Sequence, residues 1–309
     1  MIMRIGIVGL GFIALTEFLP ALMQMKDMEI VCAVEQDQER LQSVARKYNI
    51  PKLYTSIEGL LDADIDAALV LTPYQATYGI VRSLLERGID VLSEKPMAET
   101  LEQAEELVRI SEEKNVIYMI GLNRRFAEPF LKAKQLMPVT KTELVSVEKV
   151  KHMTYFKDKP MLDFGVHSLD TLLWLCEGKV KSCSVDYTLM PDGRESSVQA
   201  QFSFDNGIKG RFLMSCCAGM WEESVRMFGQ ANTVEIQAPA VLRLKAEGQV
   251  TETVFGASGP GGGGNSFGFR QELKHFADCV RTREQPSASG RSALYTQQVM
   301  DMIYKLMGK

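Results

Sequence analysis

The stretch from residue 3 to residue 14, MRIGIVGLGFIA, constrains this chain more than any other. An apolar run, Arg4–Val8, empties into Gly9-Leu10-Gly11-Phe12-Ile13-Ala14, and a helical pattern continues to about Met25. Gly-x-Gly-x-x-Ala at such a junction has a mechanism. Gly9 permits a tight turn, Gly11 lets a pyrophosphate approach the backbone, and Ala14 keeps the helix close to the strand. The phosphates then rest on the free N–H groups of the helix N-terminus. Alone the pattern is weak, since glycines often merely end strands, so its surroundings decide.

Those surroundings alternate. Short apolar runs recur at Arg4–Val8, Glu29–Val34, Ala67–Leu71, Asp90–Leu92 and Val116–Ile120. Helical patterns lie between them, such as Leu101, Ala104, Leu107, Val108 and Ser111 on one face at a 3.6-residue period. That helix opens with Thr100 and carries Gln103, a capping box. Strands separated by helices imply βαβ units and a doubly wound parallel sheet over residues 1–121. Residues 122–309 read differently. After helices at Glu128–Leu136 and Met161–Cys176 and a strand at Leu144–Lys149, strand-like runs follow with little helix between them. They fall at Lys181–Leu189, Ser196–Phe204, Ile208–Cys216, Ser224–Phe228, Val241–Lys245 and Val250–Phe255, with turns such as DNG and PDG. This is an α+β domain with a large, mostly antiparallel open sheet. GASGPGGGGNSFG at 256–268 reads as a flexible loop or lid, and two amphipathic helices, near Phe269–Arg281 and Ser292–Met307, close the chain. The last helix is free to pack back on the first domain.

Composition excludes several classes of function. The net charge of −4 leaves no basic footprint for nucleic acid or an anionic membrane. The opening run is too short and glycine-broken for a signal peptide, and no apolar stretch is long enough to span a bilayer, so a cytoplasmic protein is expected. The six cysteines lack C-x-x-C spacing and read as reduced and buried. No metal site is expected.

The second strand ends Cys32-Ala33-Val34-Glu35, placing a carboxylate about two dozen residues beyond the loop. There it can accept hydrogen bonds from adenosine ribose hydroxyls and repel a 2′-phosphate. Gln36 follows with no adjacent arginine, which favours NAD over NADP, although NADP stays open. Asp90–Leu92 runs into Ser93-Glu94-Lys95-Pro96, where proline fixes its own φ and restricts Lys95. Lys95 is thereby held where a nicotinamide ring would lie, or is a surface lysine. Further on, Leu162, Val166, Leu169 and Leu173 form a core stripe, and Asp163, His167 and Asp170 form its neighbour. A histidine flanked by two carboxylates is placed to be oriented and tuned, unless it is merely a satisfied helix histidine.

Together these pieces resemble the Gfo/Idh/MocA family of NAD(P)-dependent oxidoreductases, and most closely its MviM-like subgroup. The matching residues are GLGFIA at 9–14, Glu35, Thr72-Pro73, Glu94-Lys95-Pro96, Asn123-Arg124-Arg125-Phe126 and Asp163-x-Gly165-x-His167-x-x-Asp170. The resemblance spans nearly the whole chain. It implies a Rossmann domain, then an α/β domain whose open sheet often forms a homodimer or homotetramer. It also implies cofactor contacts at Gly9, Gly11, Phe12, Ile13, Ala14, Glu35, Thr72, Pro73, Glu94, Lys95 and Asn123. Lys95, Asp163 and His167 would form the catalytic set, with substrate contacts at Arg125, Lys151, Asp163 and His167. Arg124, Lys149 and His152 join Arg125 and Lys151 either as lining of a cleft for an anionic sugar or as solvated and sheet-edge charges. Family members mostly oxidise a secondary hydroxyl of a sugar, cyclitol or related polyol, or reduce the ketone. NAD-dependent glycoside cleavage and a non-catalytic NAD-binding regulator are the competing readings. One position departs from the pattern: Thr77 stands where the family often carries a histidine.

Overall fold

In a computed structural model describing residues 2–152, 159–256 and 267–309, the chain divides into two units. Residues 257–266, the body of the glycine-rich stretch read as a loop or lid, lie outside the described residues. The first unit is built on strands β1 (Met3–Val8), β2 (Met28–Val34), β3 (Lys52–Tyr54), β4 (Ala67–Val70), β5 (Asp90–Ser93) and β6 (Tyr118–Ile120). They are all parallel, in the order β3-β2-β1-β4-β5-β6. Every residue of β4 and β5 is buried, as a sheet covered on both faces requires. Its helices are α1 (Leu19–Leu22), α2 (Gln38–Tyr48), α3 (Glu58–Leu61), α4 (Tyr74–Glu86) and α5 (Leu101–Glu113). The Thr100 hydroxyl caps α5 by accepting the Gln103 N–H at 3.3 Å.

The helix after the glycine turn is shorter than the sequence pattern implies. It widens into a π-turn over Ala14–Phe18 and stops at Leu22 instead of Met25. Pro20 accounts for the widening, because it has no N–H to return to the turn before it. The Leu19 N–H bonds Ala14 O, one residue further back than in an α-helix, which absorbs the defect. Strand β3 was not legible in the sequence: three residues after Pro51 carry too little periodicity.

The second unit begins with α6 (Glu128–Leu136) and β7 (Leu144–His152). A π-turn at Met161–Gly165 then leads into α7 (Val166–Cys176). Then come β8 (Val180–Leu189), β9 (Glu195–Phe204), β10 (Lys209–Ser215), β11 (Cys217–Gly229), β12 (Asn232–Gln237), β13 (Val241–Ala246) and β14 (Gln249–Val254). The sheet order is β14-β13-β12-β11-β7-β10-β9-β8, antiparallel except where β7 meets β10. Val147, Phe212 and Met214 are buried on the α7 side, together with Leu169 and Leu172 of the helix. The cross-strand register puts Arg226, Glu235, Arg243 and Glu252 in one row, an alternation of charge running across four strands. Strand β12 went unread in the sequence, although Val234 and Ile236 alternate with Thr233, Glu235 and Gln237.

The closing helices are α8 (Phe269–Thr282) and α9 (Gly290–Leu306). The sequence places everything after residue 121 in the second domain, yet residues 267–294 group with the first unit. Three contacts explain this. The Phe269 ring meets Phe18 edge-on at 5.4 Å, Arg283 Nη1 reaches the buried Asp90 carboxylate at 2.5 Å, and the Ile120 N–H donates to Ala288 O at 2.9 Å. Of the cysteines, Cys217 is exposed and Cys183 only partly covered, so burial does not hold for all six.

Candidate active site

The order of the first sheet turns back at β1, and in such sheets a ligand crevice opens beyond the carboxyl ends of the strands. A cleft of about 560 Å³ lies there, lined among others by Gly9, Gly11, Glu35, Thr72 and Pro73. Gly9 adopts φ +91°, and a Cβ on it would stand 2.9 Å from Leu71 O. A Cβ on Gly11 would meet nothing within 4 Å, so the backbone there faces open space of the kind a pyrophosphate needs. Ala14 is fully buried, while Phe12 is 76% exposed beside the turn.

Glu35 is held from two sides: one carboxylate oxygen accepts the Leu10 N–H at 3.0 Å, the other the Asp37 N–H at 3.1 Å. The residues therefore fit a dinucleotide, with a glycine cradle for the phosphates and an oriented carboxylate for the ribose. No arginine adjoins Gln36 in sequence, but Asp37 caps α2 through the Arg40 N–H, and that turn brings Arg40 Nη1 to 3.5 Å from Glu35.

On the opposite side of the crevice Thr77 leaves no hole. It is buried in α4, and its hydroxyl lies 3.1 Å from the Thr72 hydroxyl and within reach of Pro73 O, bracing the cleft wall. Beyond β5, the Glu94 N–H donates to Val70 O at 2.8 Å, and the Lys95 N–H donates to the Glu94 carboxylate at 3.2 Å. The Lys95–Pro96 peptide is cis and Lys95 is half-buried. Asn123, the last residue of the first unit's N-terminal segment, is buried.

The second unit carries the other residues singled out in the sequence. Leu162, Val166, Leu169 and Leu173 are buried as the stripe predicts. Asp163 lies in the π-turn and His167 four residues on in α7, both half-buried. Asp170 does not complete a carboxylate–histidine–carboxylate row. Its carboxylate is bound by Arg125 Nε at 2.9 Å and Nη2 at 2.5 Å, and by the Thr296 hydroxyl at 2.8 Å. Arg125 is only 6% exposed, so its guanidinium forms a buried ion pair in place of the expected substrate contact.

Arg124 likewise makes a two-pronged pair with Glu223, at 2.9 and 2.7 Å, and Lys149 Nζ stands 3.8 Å from the same carboxylate. Burial alone would raise the Glu223 pKa, but Arg124 and Lys149 outweigh it and hold the carboxyl below its ordinary range. Lys149 also donates to Phe164 O at 3.2 Å, inside the π-turn. Glu195 holds the turn's start: it accepts the Met161 N–H at 3.5 Å and pairs with Lys309 at 2.6 Å. Sequence reasoning missed this scaffold because nothing local links Lys149, Glu195 and Glu223. Lys151 and His152, by contrast, are exposed at the end of β7. Among the described residues no three His, Cys, Asp or Glu side chains gather as a metal site, and no helix is long and apolar enough to cross a membrane.

A six-stranded parallel sheet with a glycine-lined cleft at its switch point defines a dinucleotide-binding protein of the Rossmann class. Residues 3–122 match the model of an oxidoreductase family with an NAD-binding Rossmann fold, Gfo/Idh/MocA, and residues 152–235 match that family's C-terminal domain. The chain belongs to the Gfo/Idh/MocA oxidoreductases, with NAD as the family's dinucleotide. It is similar to YceM of Salmonella typhimurium, at 27% identity over 98% of this chain and 97% of that one. A D-xylose 1-dehydrogenase (NADP(+)) of Haloferax volcanii is 23% identical over 98% and 97% of the two chains. The crystal structure of a dehydrogenase (MviM) from Clostridium difficile superposes with a TM-score of 0.90 at 25% identity, covering 98% of this chain and 99% of that one.

Proposed function

We propose that this oxidoreductase moves a hydride between NAD and a secondary hydroxyl, or the matching ketone, of a sugar, cyclitol or related polyol. The observation that carries the reading is the switch-point cleft, with open space over Gly11 and Glu35 pinned by two backbone N–H groups. Similarity to a D-xylose 1-dehydrogenase over almost the full chain supports the substrate class.

A bound nicotinamide would supply the hydride acceptor for the substrate carbon. The protein's part is proton transfer and charge. His167 takes the hydroxyl proton as general base, and in the reverse direction returns it to the carbonyl oxygen. Lys95, on the first unit, is the candidate to donate a hydrogen bond to a reacting oxygen and stabilise the negative charge that builds there. Asp163, one turn before His167, orients the imidazole or the substrate. Lys151, exposed at the end of β7, is available to the substrate's polar groups. In this reading the protein is cytoplasmic and forms a homodimer or homotetramer through the sheet of the second unit. The alternating row Arg226, Glu235, Arg243 and Glu252 offers a self-complementary charge pattern for that contact.

The test is a screen of sugars, cyclitols and sugar acids with NAD and with NADP, following nicotinamide absorbance for the wild type and His167→Ala. Sustained turnover of a polyol that His167→Ala loses supports the reading. Tight NADH binding with no turnover across the panel would replace it with a non-catalytic regulator. Product release without net absorbance change would replace it with glycoside cleavage by transient oxidation.

A further inference from the structure

An acidic side chain at the end of the second strand ordinarily repels the 2′-phosphate of NADP, while a nearby arginine ordinarily accepts it. This cleft holds both. Glu35 and Arg40 line it together, with Thr55 and Ser56 following β3, the strand that pairs with β2. The Glu35 N–H donates to Tyr54 O at 3.1 Å, which sets those hydroxyl-bearing residues next to the carboxylate.

The two charges are held very differently. Glu35 is fixed by the Leu10 and Asp37 N–H groups and its side chain is 11% exposed. Arg40 is loosely held and its side chain is 45% exposed. Nη1 lies 3.5 Å from Glu35 and Nη2 3.4 Å from Asp37, and neither contact is a hydrogen bond. The N–H groups of its planar fork are thus not committed to either carboxylate, and a phosphate can use two of them at once. A fixed carboxylate with a movable cation beside it does not simply exclude a phosphate. The cation can leave the carboxylates and offset the charge that the phosphate brings.

We infer that Arg40 is a specificity-determining residue that lets this cleft accept NADP as well as NAD, despite the acidic Glu35. The inference rests on the dinucleotide reading of the cleft. Glu35 keeps NAD the tighter ligand through the ribose hydroxyls, and Arg40 supplies the attraction for the 2′-phosphate.

The experiment is a fluorescence titration of the purified full chain with NADH and with NADPH, which needs no substrate. The wild type binds both, NADH more tightly, and NADPH affinity falls more steeply with added salt. In Arg40→Gln the ratio of Kd(NADPH) to Kd(NADH) rises at least about tenfold, the size of one lost charge-assisted hydrogen bond. Arg40→Lys recovers part of that rise, and Glu35→Gln lowers the ratio below that of the wild type. NADH binding without NADPH binding, or a ratio that Arg40→Gln moves by less than about twofold, overturns the inference while leaving the dinucleotide reading in place. Failure of both dinucleotides to bind the folded wild type removes that reading and the inference with it.

Discussion

Lys149 Nζ donates to the Phe164 carbonyl at 3.2 Å, and its charge faces Glu223 at 3.8 Å. One buried ammonium thereby ties β7 and β11 of the sheet to the turn that carries Asp163. The turn needs an outside donor, because a π-turn departs from the regular i→i+4 ladder. Lys149→Met takes one of two cations from a fully buried carboxylate and the donor from the turn. Unfolding free energy should fall by about 2–4 kcal/mol, against under about 1 kcal/mol for breaking the exposed Arg109–Glu113 pair with Arg109→Ala. Urea denaturation of the two variants gives the comparison, and equal losses would mean Lys149 anchors nothing.

The two glycines of the first loop should separate stability from binding. Alanine at Gly9 combines φ +91° with a Cβ 2.9 Å from Leu71 O, so Gly9→Ala should cost about 1–3 kcal/mol and also disturb the turn. A Cβ at Gly11 touches nothing, so Gly11→Ala should leave unfolding within about 0.5 kcal/mol of wild type. It should nonetheless weaken NADH, because the methyl fills the space meant for the pyrophosphate. Denaturation without ligand and NADH titration, run on both variants, check the split. Unimpaired NADH binding by Gly11→Ala would place the phosphates elsewhere.

How much of this was legible in the sequence follows from how local each signal is. The glycine turn, the carboxylate closing β2 and the leucine stripe of α7 each depend on a strand end or a helical period, and all were readable. Strand β3, at three residues, is too short to show a period. Arg125 and Asp170 are 45 residues apart, and only the packed fold reveals that each neutralises the other. Without that contact Arg125 reads as a cation for substrate and Asp170 as a partner for His167. Arg40 was hidden differently: it sits close to Glu35 in sequence, but only the Asp37-capped start of α2 turns it back onto the carboxylate.

The Arg125–Asp170 contact makes its own prediction. Arg125→Met leaves a carboxylate with almost no exposure, supported chiefly by the Thr296 hydroxyl, and should cost about 3–5 kcal/mol. The folded fraction should bind NADH. A variant as stable as wild type, with only a raised KM for substrate, would return Arg125 to the substrate site.

His167 carries the chemistry in the proposed mechanism, and general acid–base assistance is worth about 10²–10⁴-fold. His167→Ala should lose that factor in turnover of whichever polyol the screen identifies, with NADH affinity retained because the dinucleotide cleft belongs to other residues. Single-turnover kinetics and NADH titration on the same preparation check both halves. Full turnover in the variant would remove the imidazole from the reaction.

His275 supplies a pH dependence of stability. The Ser287 N–H donates to its Nε2 at 3.0 Å, and Cys279 Sγ lies 3.6 Å from the same nitrogen. Burial pushes its pKa down, with Lys274 adding to the effect and Asp278 opposing it. A proton on Nε2 would also oppose the Ser287 donor. The folded protein therefore takes up this proton less readily than the unfolded chain, whose histidine titrates near about 6.5. Between that value and the lower folded one the unfolded state binds more protons, so stability falls as pH falls. The contribution is complete above about pH 6.5 and is lost as pH drops through the folded value. His275→Gln removes the titration, so its deficit in melting temperature against wild type should be widest at about pH 7.5 and narrow toward about pH 5.5. Thermal melts across that range decide the matter, and a deficit that stays constant with pH would show that His275 holds α8 by packing alone.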